Sequence, residues 1–106
     1  MPNASSSKPP GDSAARGSGP LTIPADHPAI AGHFPGHPVV PGALLLAHAL
    51  AAIPDSRGRS IRLAKFPRPA IPGTPLTLRW QEALGEIRFE CADGAGAVVM
   101  TGILAR

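Results

Sequence analysis

The sequence predicts an α+β fold in which one antiparallel sheet wraps around one buried helix. Two observations lead to this prediction. Residues 42–53, GALLLAHALAAI, consist almost entirely of the strong helix formers Ala and Leu. After Pro54 the pattern changes to an alternation of apolar and polar residues, as in residues 76–81 and 87–92, which is typical of half-buried strands. One helix followed by several such strands is an α+β arrangement.

A proline-rich segment, residues 24–42, precedes the helix. It has five prolines among nineteen residues, so it is neither a helix nor a central strand, and we expect a stiff, partly buried loop. The helix has one polar residue, His48, and we expect it to be buried on all faces. Further strands are predicted over residues 21–23, 61–66 and 97–104, with connections at residues 83–86, where Gly85 can take a positive φ, and at Asp93-Gly94.

Composition sets the domain organisation and the compartment. Residues 1–20 are rich in Ser, Pro and Gly and have no hydrophobic periodicity, so they are predicted to be a disordered tail before a domain at residues 21–106. A core this small is marginal on its own, which favours association with a second copy. The single cysteine, Cys91, excludes an intrachain disulfide and suits a reducing compartment, so we expect a cytoplasmic protein.

Several function classes are disfavoured by the sequence. The longest apolar run, residues 43–53, is shorter than the roughly 20 residues that a membrane span needs. The N-terminus lacks the apolar region of a secretory signal. The net charge of +3 arises from few charged residues, so we expect no nucleic-acid partner.

The residues best suited to proton transfer are four histidines, His27, His33, His37 and His48. We interpret His27 and His37 as polar loop residues, and we expect no metal site because the spacings match no familiar zinc pattern. The run that begins at His33 ends at Gly42, where a helix N-terminus presents N–H groups with partial positive charge. Such an N–H can polarise a thioester carbonyl, and a base beside a polarised carbonyl can remove the adjacent proton.

The run Gly32-His-Phe-Pro-Gly-His-Pro-Val-Val-Pro-Gly42, followed by an apolar helix, closely resembles the β-hydroxyacyl-[acyl-carrier-protein] dehydratases of fatty acid synthesis. A second stretch, Lys65-Phe-Pro-Arg-Pro-Ala-Ile-Pro-Gly73, resembles the strand and kink that follow the helix in that family. The resemblance covers about residues 20–106 and implies a hotdog fold. It also implies dimers with tunnels at the subunit interface.

The resemblance further implies the chemistry and the site. The substrate would be a 3-hydroxyacyl thioester on acyl carrier protein, and the product a trans-2-enoyl thioester. By motif position, His33 matches the catalytic histidine, Val39 the residue whose carbonyl orients that imidazole, and Gly42 the glycine whose N–H polarises the thioester carbonyl. No metal or redox cofactor is expected, because phosphopantetheine arrives with the substrate.

One position departs from the family pattern. The family's acidic residue lies fourteen positions after the histidine, and here that position is Ala47. His48 is polar, but one helix step rotates a side chain by about 100°. Three explanations stay open: a divergent dehydratase using His33 with water or His48, a heteromer whose partner supplies the acid, or an acyl-binding protein without chemistry. A thioesterase is disfavoured because no carboxylate lies between Asp26 and Asp55.

A basic stretch follows the helix. Residues 57–68 contain five basic residues and no acidic one. Arg57, Arg59 and Arg62 are candidates for docking the acidic carrier protein, with ordinary solvated charge as the alternative. Trp80 alternates in phase with apolar residues, so we expect it in the core or in a dimer contact.

Overall fold

The computed structural model describes residues 16–30, 36 and 39–105. In chain order the elements are strand β1 (Arg16–Leu21), helix α1 (Gly42–Ala52), β2 (Ile61–Lys65), β3 (Leu76–Ala83), β4 (Glu86–Asp93) and β5 (Val98–Leu104). The helix and the four later strands confirm the predicted elements to within two residues at each end. Within the described residues no helix is long and apolar enough to cross a membrane.

The five strands form one sheet in the order β1-β3-β4-β5-β2, and every neighbouring pair is antiparallel. Strands β1 and β2 are therefore the two edges. The crossover from β1 to β2 passes through the proline-rich segment and α1, which places the helix against one face of the sheet. Every buried residue among those described is apolar, as expected for an aliphatic core; the fully buried side chains with the largest volumes are Ile23, Leu45, Leu78, Ile87, Met100, Leu104 and Cys91.

The predicted tail boundary is wrong at residues 16–20, which belong to β1 and pair with β3. One of the glycines that suggested disorder has a packing role instead. Gly17 lies opposite Trp80, and a Cβ atom at residue 17 would lie 2.5 Å from Cζ2 of the indole. An aromatic side chain covers the space that a glycine leaves in the neighbouring strand. Residues 1–15 lie outside the described residues, so their disorder stays a prediction.

A second glycine is covered in the same way on the same face of the sheet, two strands away from Trp80. Gly102 in β5 is paired with Phe89 in β4, and a Cβ at residue 102 would lie 2.7 Å from Cε1 of that ring. Phe89 in turn pairs with Trp80. The row Gly17–Trp80–Phe89–Gly102 thus crosses four strands, with two aromatic side chains between two glycines. Trp80 packs against the buried cluster, as predicted for a core residue.

The prediction that α1 is buried on all faces is wrong for the single chain. Leu45 and Ala49 are buried, and Ile53 continues the same face one turn later. Ala43 and Ala47 lie on the opposite face and are exposed. The helix is apolar all round because it has Ala and Leu throughout, yet the sheet covers only one of its sides.

The two hairpins use different turns. In the β3–β4 hairpin Leu84 has φ +55° and Gly85 has φ +84°, the pattern of a type I′ turn. In the β4–β5 hairpin the Asp93 carboxylate accepts hydrogen bonds from the N–H groups of Ala95 and Ala97, both at 2.9 Å. Gly96, with φ +85°, takes the left-handed position there. The prediction of positive φ at Gly85 is confirmed.

Candidate active site at the helix N-terminus

The first turn of α1 presents free backbone donors. Pro41 caps the helix with extended backbone angles, φ −56° and ψ 138°, and its carbonyl accepts hydrogen bonds from the N–H groups of Leu44 at 3.0 Å and Leu45 at 3.1 Å. The N–H groups of Gly42 and Ala43 have no acceptor among the described residues. These two donors lie at the positive end of the helix dipole, where a developing negative charge is stabilised.

A cavity of about 340 Å³ opens beside these donors. Its lining is mostly apolar and comes from the helix, the loop before it, the β2–β3 connection and β5: Val40, Gly42, Leu45, Phe66, Arg68, Pro69, Ala70 and Val99. The N–H of Val40 donates to the carbonyl of Ala70 at 2.8 Å, which ties the loop before the helix to the β2–β3 connection. Among the described lining residues there is no carboxylate, and Arg68 is the charged one. The arrangement therefore suits an apolar chain ending in a carbonyl oxygen that gains negative charge.

Phe66 is the wall of this cavity that lies closest to the helix. A Cβ at residue 42 would lie 3.1–3.2 Å from three atoms of its ring, closer than ordinary carbon contacts. Glycine at position 42 therefore lets an aromatic ring pack against the helix backbone. Hydrophobic periodicity does not predict this contact, although Phe66 and Arg68 lie in the second stretch that resembles the dehydratases.

Two of the four histidines considered for proton transfer, His33 and His37, lie outside the described residues. Gly36, between them, has φ +85°, a conformation that favours glycine. Val39 is half-buried just before the helix, and the predicted roles of Val39 and Gly42 stay predictions.

His48 contacts another histidine. Its ring centroid lies 5.8 Å from that of His27, and the two rings meet edge to face at 73°. The Nδ1 atom of His27 accepts a hydrogen bond from the N–H of Ala29 at 3.0 Å, so in the neutral ring the proton resides on Nε2. Both histidines are half-buried. His27 thus lies in a loop, as interpreted from the sequence, and its half-buried ring is held by the loop backbone on one side and by the helix on the other.

Ala47 leaves the expected acid position without a carboxylate. Its side chain lies on the exposed face of α1, next to His48 but on a different side of the helix. A group supplied from outside the chain can approach this position because the sheet does not cover it.

The three arginines predicted to dock a carrier protein do not form a patch of free cations. The Arg59 guanidinium donates to the Asp55 and Gly85 carbonyls, both at 2.8 Å, and forms ion pairs with the carboxylates of Asp55 at 3.0 Å and Glu82 at 3.3 Å. Its side chain is 11% exposed, and hydrogen bonding by Asp55 raises its pKa further. Arg59 thus fastens the segment after the helix to the β3–β4 hairpin.

The other two arginines of this set differ from each other. Arg62 forms an ion pair with Glu86. Arg57 is exposed and has no ion pair among the described residues. A docking role for the set as predicted from sequence is therefore weakened at two of its three members.

The fold and site define a class of protein: a hotdog-fold chain whose helix N-terminus opens on an apolar cavity. Solved structures agree with this class. The dehydratase heterocomplex ApeI:P from Xenorhabdus doucetiae superposes with a TM-score of 0.70 at 20% identity, covering 86% of each chain. The monoamine oxidase regulatory protein from Archaeoglobus fulgius superposes with a TM-score of 0.61 at 18% identity, covering 84% of each chain.

Sequence comparison is more specific. The chain is 33% identical over 102 residues to the 3-hydroxyacyl-[acyl-carrier-protein] dehydratase FabZ of Thermomicrobium roseum, covering 85% of this chain and 67% of that protein. It is 29% identical to the FabZ of Roseiflexus castenholzii, covering 82% of this chain and 68% of that protein. Residues 12–103 match the ApeI-like family, described as ApeI dehydratase. The chain belongs to this hotdog dehydratase family.

Proposed function

We propose that the protein acts on 3-hydroxyacyl thioesters carried by acyl carrier protein and eliminates water to give trans-2-enoyl thioesters. The observation that carries the proposal is the N–H of Gly42 at the start of α1, which has no acceptor among the described residues and lies beside an apolar cavity, a few residues after His33 in the sequence. The named FabZ relatives and the family match support the same chemistry. Phosphopantetheine arrives with the substrate, so no resident cofactor is invoked, and the free Cys91 suits a cytoplasmic location.

In the proposed reaction the acyl chain occupies the cavity and the thioester oxygen accepts a hydrogen bond from the N–H of Gly42. This bond lowers the energy of the enolate-like transition state, because that oxygen gains charge while the helix dipole is already aligned with it. The imidazole of His33 takes the proton from C2, and the carbonyl of Val39 orients the ring. The electron pair left at C2 forms the double bond, the C3–O bond breaks, and the departing hydroxide takes a proton to leave as water.

That last proton is the step for which this chain lacks the usual donor. A general acid typically contributes about 10²–10⁴-fold in rate, so its loss leaves a slow enzyme rather than an altered fold. Protonated His33 can return its proton to the leaving oxygen, and His48, held against His27, is the second candidate donor. Neither candidate reproduces a carboxylic acid at position 47.

We propose that a second hotdog subunit supplies the missing acid. The exposed face of α1 with Ala43 and Ala47, and the exposed apolar side chains of edge strand β2, Ile61 at 47% and Leu63 at 39%, are uncovered in the single chain. The ApeI:P neighbour is itself a dehydratase heterocomplex. A homodimer would bury the same surfaces but would bring Ala47 to both sites.

Two other functions predict different products. A thioesterase would release free acid and thiol, but the described part of the cavity lining has no carboxylate to activate water. A non-catalytic acyl-binding subunit would release nothing. The assay incubates a 3-hydroxyacyl carrier thioester with the chain alone and with an acid-bearing hotdog subunit, and mass spectrometry identifies the products.

The expected result is the enoyl thioester, formed slowly by the chain alone and faster with the partner. His33→Ala is expected to abolish the product in both arms, while His37→Ala, the matched change in the same loop, retains it. Release of free acid, or equal activity of the His33→Ala variant and the unmodified chain, would contradict the proposal.

A further inference from the structure

The face of the sheet turned away from α1 has a broad groove of about 670 Å³. Because side chains alternate across a strand, Arg79 and Gln81 of β3 point away from the face that holds the buried Leu78. The register places Ser18 and Glu90 on either side of Arg79, and Thr101 next to Glu90. All five strands contribute to the lining of this groove, so its charge is a property of the whole sheet.

The groove is strongly basic. Among the described lining residues, four strands each contribute one cation: Arg16 in β1, Lys65 in β2, Arg79 in β3 and Arg88 in β4. The one carboxylate among them is that of Glu90. Within the described part of the chain, Arg16, Lys65 and Arg79 have no ion pair. Arg88 lies 3.7 Å from Glu86, a carboxylate that also pairs with Arg62, and its side chain remains 65% exposed. These cations are therefore available to an external partner, unlike Arg59.

We infer that this outer groove docks the acidic carrier protein, an assignment that rests on the proposed function. Charge complementarity favours an acidic partner, because cations on a shared face steer a negatively charged protein and fix its orientation. A second copy of this chain is disfavoured, since the chain has a net charge of +3. Ile103 adds apolar surface beside Arg88, and arginine mixed with apolar side chains is typical of protein interfaces.

The groove and the candidate active site meet at one end of edge strand β2. Lys65 lines the groove, whereas the next residue, Phe66, lines the cavity beside Gly42. Consecutive Cα atoms lie about 3.8 Å apart, so the groove and the cavity are adjacent at this edge of the sheet. A flexible arm attached to a protein in the groove can therefore pass around this edge into the cavity. Arg68, on the cavity rim, is placed to pair with the phosphate of that arm.

The test uses the double variant Arg79→Gln, Arg88→Gln, which lowers the net charge by removing two groove cations. Its matched control, Leu84→Glu with Ala95→Glu, lowers the net charge by the same amount at exposed positions that do not line the groove. Binding of holo-acyl carrier protein is measured by calorimetry, and the emission of Trp80, the single tryptophan of the chain, checks that each variant is folded. Turnover is measured with the carrier-bound substrate and with a small pantetheine thioester.

The expected result is that the groove variant weakens carrier binding by about tenfold or more, with no change for the pantetheine thioester. The control variant is expected to bind the carrier within about twofold of the unmodified chain. Unchanged carrier binding by the groove variant, equal weakening in the control, or tighter binding of a DNA duplex or phosphatidylglycerol vesicles than of the carrier would overturn the inference. Carrier binding without turnover of either substrate would refute the proposed function and leave the docking assignment standing.

Discussion

Replacing Gly17 with alanine is expected to destabilise the protein, because the new methyl group would enter the space occupied by Trp80. The added Cβ would lie 2.5 Å from Cζ2 and 2.8 Å from Cε2 of the indole. Carbon atoms in contact normally lie about 3.5–4.0 Å apart, so the ring or the edge strand must move by about 1 Å. Such overpacking typically costs about 1–3 kcal/mol. The lower entropy of the unfolded chain returns about 0.4–1 kcal/mol.

Gly19→Ala in the same strand is the matched control, since a Cβ there has nothing within 4 Å. Urea and thermal unfolding of both variants, followed by circular dichroism, give the difference in stability. We expect Gly17→Ala to unfold about 4–8 °C lower for each kcal/mol lost, and the emission of the single tryptophan to shift. Equal stability and identical emission of the two variants would refute the packing of β1 against Trp80.

Three further predictions concern the core and the acid position. Gly102→Ala is expected to lower the free energy of unfolding by about 1–3 kcal/mol, because the added methyl group would overlap the buried Phe89 ring. Gly94→Ala, with nothing within 4 Å of its Cβ, is expected to be neutral in the same unfolding assay, and equal effects of the two changes would contradict this packing. Ala47→Glu is expected to raise the dehydration rate by about 10²–10⁴-fold over Ala47→Gln, and equal rates of the two folded variants would remove the role assigned to the acid position. Burial raises the pKa of Cys91 from 9.0 to about 11, so the native thiol is expected to resist thiol reagents at pH 8 until urea exposes it. Since the native state keeps the Cys91 thiol proton that the unfolded state loses, the free energy of unfolding is expected to fall as the pH rises from 9 towards 11. Rapid labelling of Cys91 in the native protein would contradict its burial.

The later strands and the helix could be predicted because their patterns depend on local chemistry. Residues 76–81 alternate cleanly, and the helix of the Ala/Leu run ends at Ala52, two residues before Pro54. The first strand was placed wrongly at residues 21–23; it is Arg16–Leu21, which the sequence hid because Gly17 has low strand propensity and its partner Trp80 lies far along the chain. Burial of α1 on every face was also inferred wrongly, because composition does not say how much of a helix one sheet covers.

The candidate site was predicted in part. Gly42 was expected at the helix start and lies there, but the Phe66 ring against it depends on how the β2–β3 connection folds back. The contact between His27 and His48 and the ion pairs of Arg59 join residues distant in sequence. No local pattern encodes such contacts, so only the three-dimensional arrangement reveals them.

The central claim is that His33 removes the C2 proton of a thioester whose oxygen is bound at Gly42. It is tested most directly by incubating the 3-hydroxyacyl carrier thioester with the protein in D₂O and recording the mass spectrum of the thioester. Proton removal exchanges C2 with solvent even where loss of the hydroxyl is slow. The account predicts deuterium at C2, or loss of water, with the unmodified chain and neither with His33→Ala. A thioester that leaves the incubation unchanged, or exchange that persists without the imidazole, would contradict it.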